Sequence, residues 1–164
     1  LETEWGEFCA WIGAPSAAQD DATAIARQIS SSDNAAGTAR MFQRVLDNIG
    51  LDRSAPRLAQ LISAIMEVLP ADAARRIMSA MEVPDRRAFM TTAARTFNTT
   101  SLLRAATGTA AAFGQPFSPP LTRLLDKLRT EADTLPEPLR PRADASFRSL
   151  IQHLVDRHQA IRRA

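Results

Sequence analysis

Tyrosine is missing from this 164-residue chain, lysine occurs once (Lys127), cysteine once (Cys9) and histidine twice (His153 and His158). Each shortage removes a class of chemistry. A single cysteine excludes an intrachain disulfide and leaves no thiolate cluster for a structural metal. Cys9 lies between Phe8 and Ile12 on an apolar stripe, the setting of a buried structural thiol. The histidines are five residues apart, which on a helix turns them away from one another, unlike the i,i+4 pair of a two-histidine metal site. No Gly-x-Ser-x-Gly elbow surrounds any serine. The stretch from Gly108 to Gly114 lacks the Lys-Ser/Thr of a phosphate loop. These shortages point to a chain that is not an enzyme and uses neither metal nor cofactor.

Long apolar runs are scarce as well, so no segment reads as a membrane span. The stretch Leu1 to Trp5 has no initiator Met, basic region or apolar core of a signal peptide. The expectation is a cytoplasmic protein, seen here as an excised fragment or a processed chain. Strand signals are equally thin. β-branched residues are scattered, and neither Asn-Gly nor Asp-Gly occurs.

What the chain does have is an ordinary balance, 45% hydrophobic and 23% charged residues, with length enough for one domain with a core. The net charge is only +2 but is unevenly spread. The first 34 residues form an acidic pair of helices, with Glu2, Glu4, Glu7, Asp20, Asp21 and Asp33 against Arg27. Later segments are rich in arginine.

Apolar residues recur at three- and four-residue spacing, the mark of amphipathic helices. The first helix is expected over residues 2–12, with Trp5, Phe8, Cys9 and Ile12 on one face and Trp11 on another. Ser16 and Gln19 have the spacing of a capping box for the second. Further helices are expected over 38–48, 54–69, 71–82, 84–97, 99–113, 119–132 and 143–161. Asn98 is the expected cap of the seventh. Gln159, Arg162 and Arg163 give the last a polar end.

One phrase occurs twice. Gly50-Leu-Asp-Arg-Ser54-Ala-Pro56 opens one apolar helix, and Gly114-Gln-Pro-Phe-Ser118-Pro-Pro120 opens another, with the two serines 64 positions apart. Ser54 and Ser118 are N-cap candidates, and the prolines sit in the first turn, where a missing N–H costs nothing. The stripe Leu58, Leu61, Ile62, Ile65 matches Leu121, Leu124, Leu125, Leu128 with a one-residue slip. Leu61, Ile65, Leu124 and Leu128 are therefore expected in equivalent core layers. Residues 38–164 read as duplicated helical-hairpin units within one all-α domain, stacked as a short α-solenoid; the alternative is an irregular orthogonal helical bundle.

This pattern resembles the α-solenoids, HEAT-like repeats in particular. The resemblance implies a scaffold with an extended surface for a protein partner or a larger assembly, and it implies no catalytic residues. Candidate partner-binding residues read from the chain itself are Trp5 and Trp11, two large aromatics on one short helix. Arg75, Arg76, Arg86 and Arg87 lie on consecutive expected helices and form the basic edge of the alternative function, an Arg-lined nucleic-acid-binding domain.

Overall fold

The computed structural model describes the backbone of residues 1–163 and the side chains of residues 1–157. Every regular element within them is helical: α1 (Glu2–Trp11), a 3-10 turn (Ser16–Ala18), α2 (Ala22–Ser31), α3 (Ala35–Asp47), α4 (Ala55–Val68), α5 (Ala71–Ser79), α6 (Val83–Thr96), α7 (Thr99–Ala112), α8 (Pro119–Asp133) and α9 (Arg140–Arg163). The all-α class expected from the periodicity is the observed one. Among the described residues no helix is long and apolar enough to cross a membrane. The ends Gln159, Arg162 and Arg163, read above as a polar cap, have side chains outside the described residues, as does His158.

Several boundaries move, each for a local reason. Ser16 and Gln19 make no capping box. The Gln19 side chain lies over Gly6, and the Gln19 backbone carbonyl accepts the Trp5 indole N–H at 3.0 Å. Residues Ser16–Ala18 therefore form a single 3-10 turn, and Asp21 caps α2 by accepting the Ala24 N–H at 3.1 Å. α3 starts at Ala35 rather than residue 38, because Ala35, Ala36 and Gly37 carry no apolar pattern to announce it. α9 starts at Arg140, with Pro141 in its first turn. Asn98 caps α7 as expected, accepting the Ser101 N–H at 2.8 Å.

The 64-residue offset reappears in the backbone. α3 and α7 start at Ala35 and Thr99, and α4 and α8 start at Ala55 and Pro119. Gly50 and Gly114 both hold positive φ (+94° and +77°), a conformation that favours glycine, just before the second helix of each pair. The six buried residues of α3 (Thr38, Ala39, Met41, Phe42, Val45 and Leu46) fall, 64 positions on, at six buried residues of α7 (Leu102, Leu103, Ala105, Ala106, Thr109 and Ala110).

The correspondence ends at the second helix of each pair. Ser118 caps α8 through its hydroxyl, which accepts the Leu121 N–H at 3.3 Å. Ser54 makes no such cap, because its backbone N–H and its hydroxyl both donate to Asp52 Oδ1, at 2.9 and 2.6 Å. α4 buries seven residues, whereas α8 buries Leu125 alone. Leu124 and Leu128, expected inside, are 52% and 38% exposed. The stripe is rotated by one position, so that Leu125 takes the inward place. Leu125→Ala should cost about 2–5 kcal/mol, and Leu124→Ala no more than about 0.5 kcal/mol. Urea denaturation of the two variants checks this, and the reverse order would return Leu124 to the core.

The bonds from Ser54, the hydroxyl's first, hold the Asp52 carboxyl down at about 2. A folded value below the unfolded one means that the charged turn stabilises the fold above the ordinary carboxylate range. That contribution is lost as pH falls through about 2. An NMR titration should place the Asp52 midpoint near that value and return it toward the ordinary range in Ser54→Ala. An ordinary midpoint in the unaltered protein would contradict the turn geometry.

One apolar cluster runs from Trp5 on α1 to Val155 on α9. Successive helices pack as neighbours, α3 with α4, α6 with α7, α7 with α8 and α8 with α9. α7 goes further and also touches α4, α5 and α9. Its composition permits this, since Ser101, Ala105, Ala106, Gly108, Thr109 and Ala110 are small and buried. A buried polar link joins α4 to α7. Ser101 Oγ donates to the Ser63 carbonyl at 2.5 Å, and Ser63 Oγ accepts the Asn98 N–H at 3.1 Å, tying α4 to the start of α7.

Candidate functional site

An open groove of about 940 Å³ lies over α3, with α1 on one side and the α5–α6 corner on the other. Its floor is apolar. Phe8, Ala39, Met41 and Met81 contribute side chains that are themselves nearly buried. Its rim is charged, with Glu4 and Glu7 from α1, Asp47 from α3, and Glu82 and Asp85 from the start of α6. Arg40 and Arg44 also line it. Arg44 Nε pairs with Glu4 at 2.7 Å, and both side chains are well exposed, so the pair adds at most about 1 kcal/mol.

Trp11 stands at this groove. It is 58% exposed, with its ring 6.3 Å from Phe8 and lying across Gly37. A Cβ added at Gly37 would overlap the Trp11 ring, so the glycine in α3 is what lets the indole lie there. Trp5 behaves oppositely. It is 2% exposed, 5.2 Å from the Phe8 ring, and its indole N–H is satisfied by the Gln19 carbonyl. Trp5 therefore belongs to the core and leaves the set of candidate partner-binding residues.

The arginines are dispersed to other tasks. Arg75 and Arg76 both pair with Asp72 on α5, at 2.6 and 3.5 Å. The Arg75 hydrogen bond, with the charge of both guanidiniums, holds the Asp72 carboxyl below its ordinary value. Arg86, expected on the same basic edge, is buried. It donates to the Met81 carbonyl at 2.9 Å and stacks 4.6 Å from the Phe113 ring centre. Arg87 is exposed on α6. The four arginines thus form no single edge, because Arg86 turns inward.

Arg86 has company in this use. Arg104 donates to the Leu69 carbonyl at the end of α4. Arg148 donates to the Ala94 and Phe97 carbonyls at the end of α6, and Arg140 to the Leu135 carbonyl after α8. Cations at helix C-termini satisfy carbonyls that have no partner within the helix and meet the negative end of its dipole. Four of the arginines are therefore tied up in holding helix ends.

Cys9 is fully buried, and burial, aided by the Asp20 charge, pushes its thiol up to about 11. It stays protonated at neutral pH. Among the described residues no group of His, Cys, Asp and Glu is placed to hold a metal ion.

Reading the chain singled out Trp11 but missed the rest of the groove. Gly37 and Met41 come from α3 and Met81, Glu82 and Asp85 from the α5–α6 corner, and of these only Met41 and Met81 stand out in the sequence, by their apolar spacing. Comparison with known proteins adds nothing to this geometry: no protein-family model, no curated protein and no solved structure matches the chain.

Proposed function

We propose that this chain is a non-catalytic, cytoplasmic protein-interaction domain, a scaffold or structural subunit of a larger assembly, built from HEAT-like helical units. The observation that carries this reading is Trp11, an indole more than half exposed at the edge of an apolar-floored groove while Trp5 is packed away. Tryptophan is enriched among the residues that dominate protein interfaces, and exposed apolar patches mark such sites. The repeat part of the reading is supported by the 64-residue correspondence of α3 with α7, in helix start and in buried face. No observation favours the arginine-lined nucleic-acid alternative over it, since Arg75 and Arg76 share Asp72 and Arg86 faces inward.

Two substitutions test the role without unfolding the domain. Trp11→Ala removes the anchor. Gly37→Ala displaces its ring and also improves helix propensity by about 1 kcal/mol. Both should abolish capture of the partner from source-cell extract while leaving the melting temperature unchanged or higher. Trp5→Ala should instead lower stability by about 3–5 kcal/mol. Capture that survives both changes at the groove contradicts the role.

A further inference from the structure

We infer that the groove over α3 receives a helix from a partner protein, apolar on the side that meets α3 and flanked by lysine and arginine. The inference rests on the interaction role above and adds the partner's shape and charge.

The shape follows from the internal correspondence. On α7, the face at Gly108 is covered by α5, and a Cβ at that glycine would lie 3.3 Å from the Ala74 carbonyl oxygen. The position 64 residues earlier is Arg44 on α3, and it lines the groove. An arginine there, paired with Glu4, stands α1 off from the close seat that glycine grants to α5. A strip of α3 is thereby left open where the corresponding strip of α7 is covered by α5. Met41 and Met81 on its floor are unbranched and adapt to the apolar side chains of an incoming helix.

The charge follows from the rim. Glu7, Asp47, Glu82 and Asp85 face the opening from both sides. Among the described lining residues only Arg40 and Arg44 are cationic, and Arg44 is committed to Glu4. Cationic side chains flanking an apolar stripe complement this rim, and anionic ones are repelled by it.

The test titrates a dye-labelled synthetic helix of about 18 residues, long enough to hold its fold, against the full chain. One peptide carries a leucine stripe flanked by Lys and Arg, and the other the same stripe flanked by Glu. The basic peptide should bind at micromolar level and weaken as salt rises, with the acidic one at least about tenfold weaker. The double variant Glu82→Lys/Asp85→Lys, checked by circular dichroism to be folded, should lose about tenfold or more for the basic peptide. Glu7→Lys, on the opposite rim, should weaken it independently. Equal binding of the two peptides, no binding of either, or affinity untouched by these charge reversals overturns the proposal. Partner capture that still needs Trp11 but ignores the rim charges also overturns this partner chemistry, leaving the interaction role standing. Self-association lost on Trp11→Ala overturns it in favour of a second copy. Capture indifferent to Trp11 overturns the role itself.

Discussion

Phe97→Ala should remove about 3–5 kcal/mol of stability, a large share of the roughly 5–15 kcal/mol that holds a domain folded. Phe97 is 1% exposed at the C-terminal end of α6, and its ring meets Phe89 edge-on, with centres 5.7 Å apart and planes at 84°. Truncation leaves a cavity that the helices around α6 cannot close without moving together. The backbone carbonyl of residue 97 still accepts Arg148 in the variant, so the loss measures packing rather than the arginine cap. Guanidinium unfolding of the two proteins gives the difference. A loss below about 1 kcal/mol would mean that the Phe89–Phe97 pair lies outside the core.

Gly108→Leu should destabilise by about 3 kcal/mol, through crowding rather than a void. Gly108 lies on α7 where α5 comes closest, with the Ala74 backbone and Met78 Cγ already 3.3–3.4 Å from where a Cβ would sit. A backbone atom cannot swing aside as a side chain end can, so the added isobutyl group must part α5 from α7. Ala73, Ala74, Ile77 and Met78, the buried face of α5, would then open to water. Gly108→Ala gains helix propensity of about 1 kcal/mol against the same tight contact, so the two effects largely offset. Thermal melting of the pair tests the contrast. A leucine variant as stable as the parent would show that α5 does not seat on α7.

Much of the fold was legible because it is local. Three- and four-residue spacing of Leu58, Ile62 and Ile65 specifies the buried face of α4, and Asn98 specifies the start of α7, without reference to distant residues. The 64-residue offset was legible in the Gly50 and Gly114 phrases for the same reason, and both glycines hold positive φ. Misreadings came where a distant group competes. Ser16 and Gln19 have capping-box spacing, but Gln19 is drawn to Trp5 and Gly6 instead. Leu124 and Leu128 have core spacing, but α8 has too few neighbours on that side to cover them.

The candidate site was legible only at Trp11, whose departure from the Trp5–Phe8–Ile12 stripe put it on another face. Which of the two tryptophans stays outside depends on the Gln19 carbonyl, 14 residues from Trp5, and on Gly37, which lies on a different helix from Trp11. Arg86 looked like a surface charge because its partners, the Met81 carbonyl and the Phe113 ring, are set by the fold rather than by spacing. Of the rim carboxylates only Glu4 and Glu7 belong to the acidic N-terminal stretch; Glu82 and Asp85 join them only once α6 is packed on α3.

Photo-crosslinking in source cells tests the central claim most directly, with a benzophenone amino acid placed at position 11 in one variant and at position 51 in another. Leu51 is 83% exposed and lies outside the groove, so it reports random encounter. Docking at the groove predicts a discrete protein adduct from position 11, absent from position 51 and lost when Glu82→Lys/Asp85→Lys is added. The same adducts from both positions, or none from position 11, would contradict the claim that this groove is where the domain meets its partner.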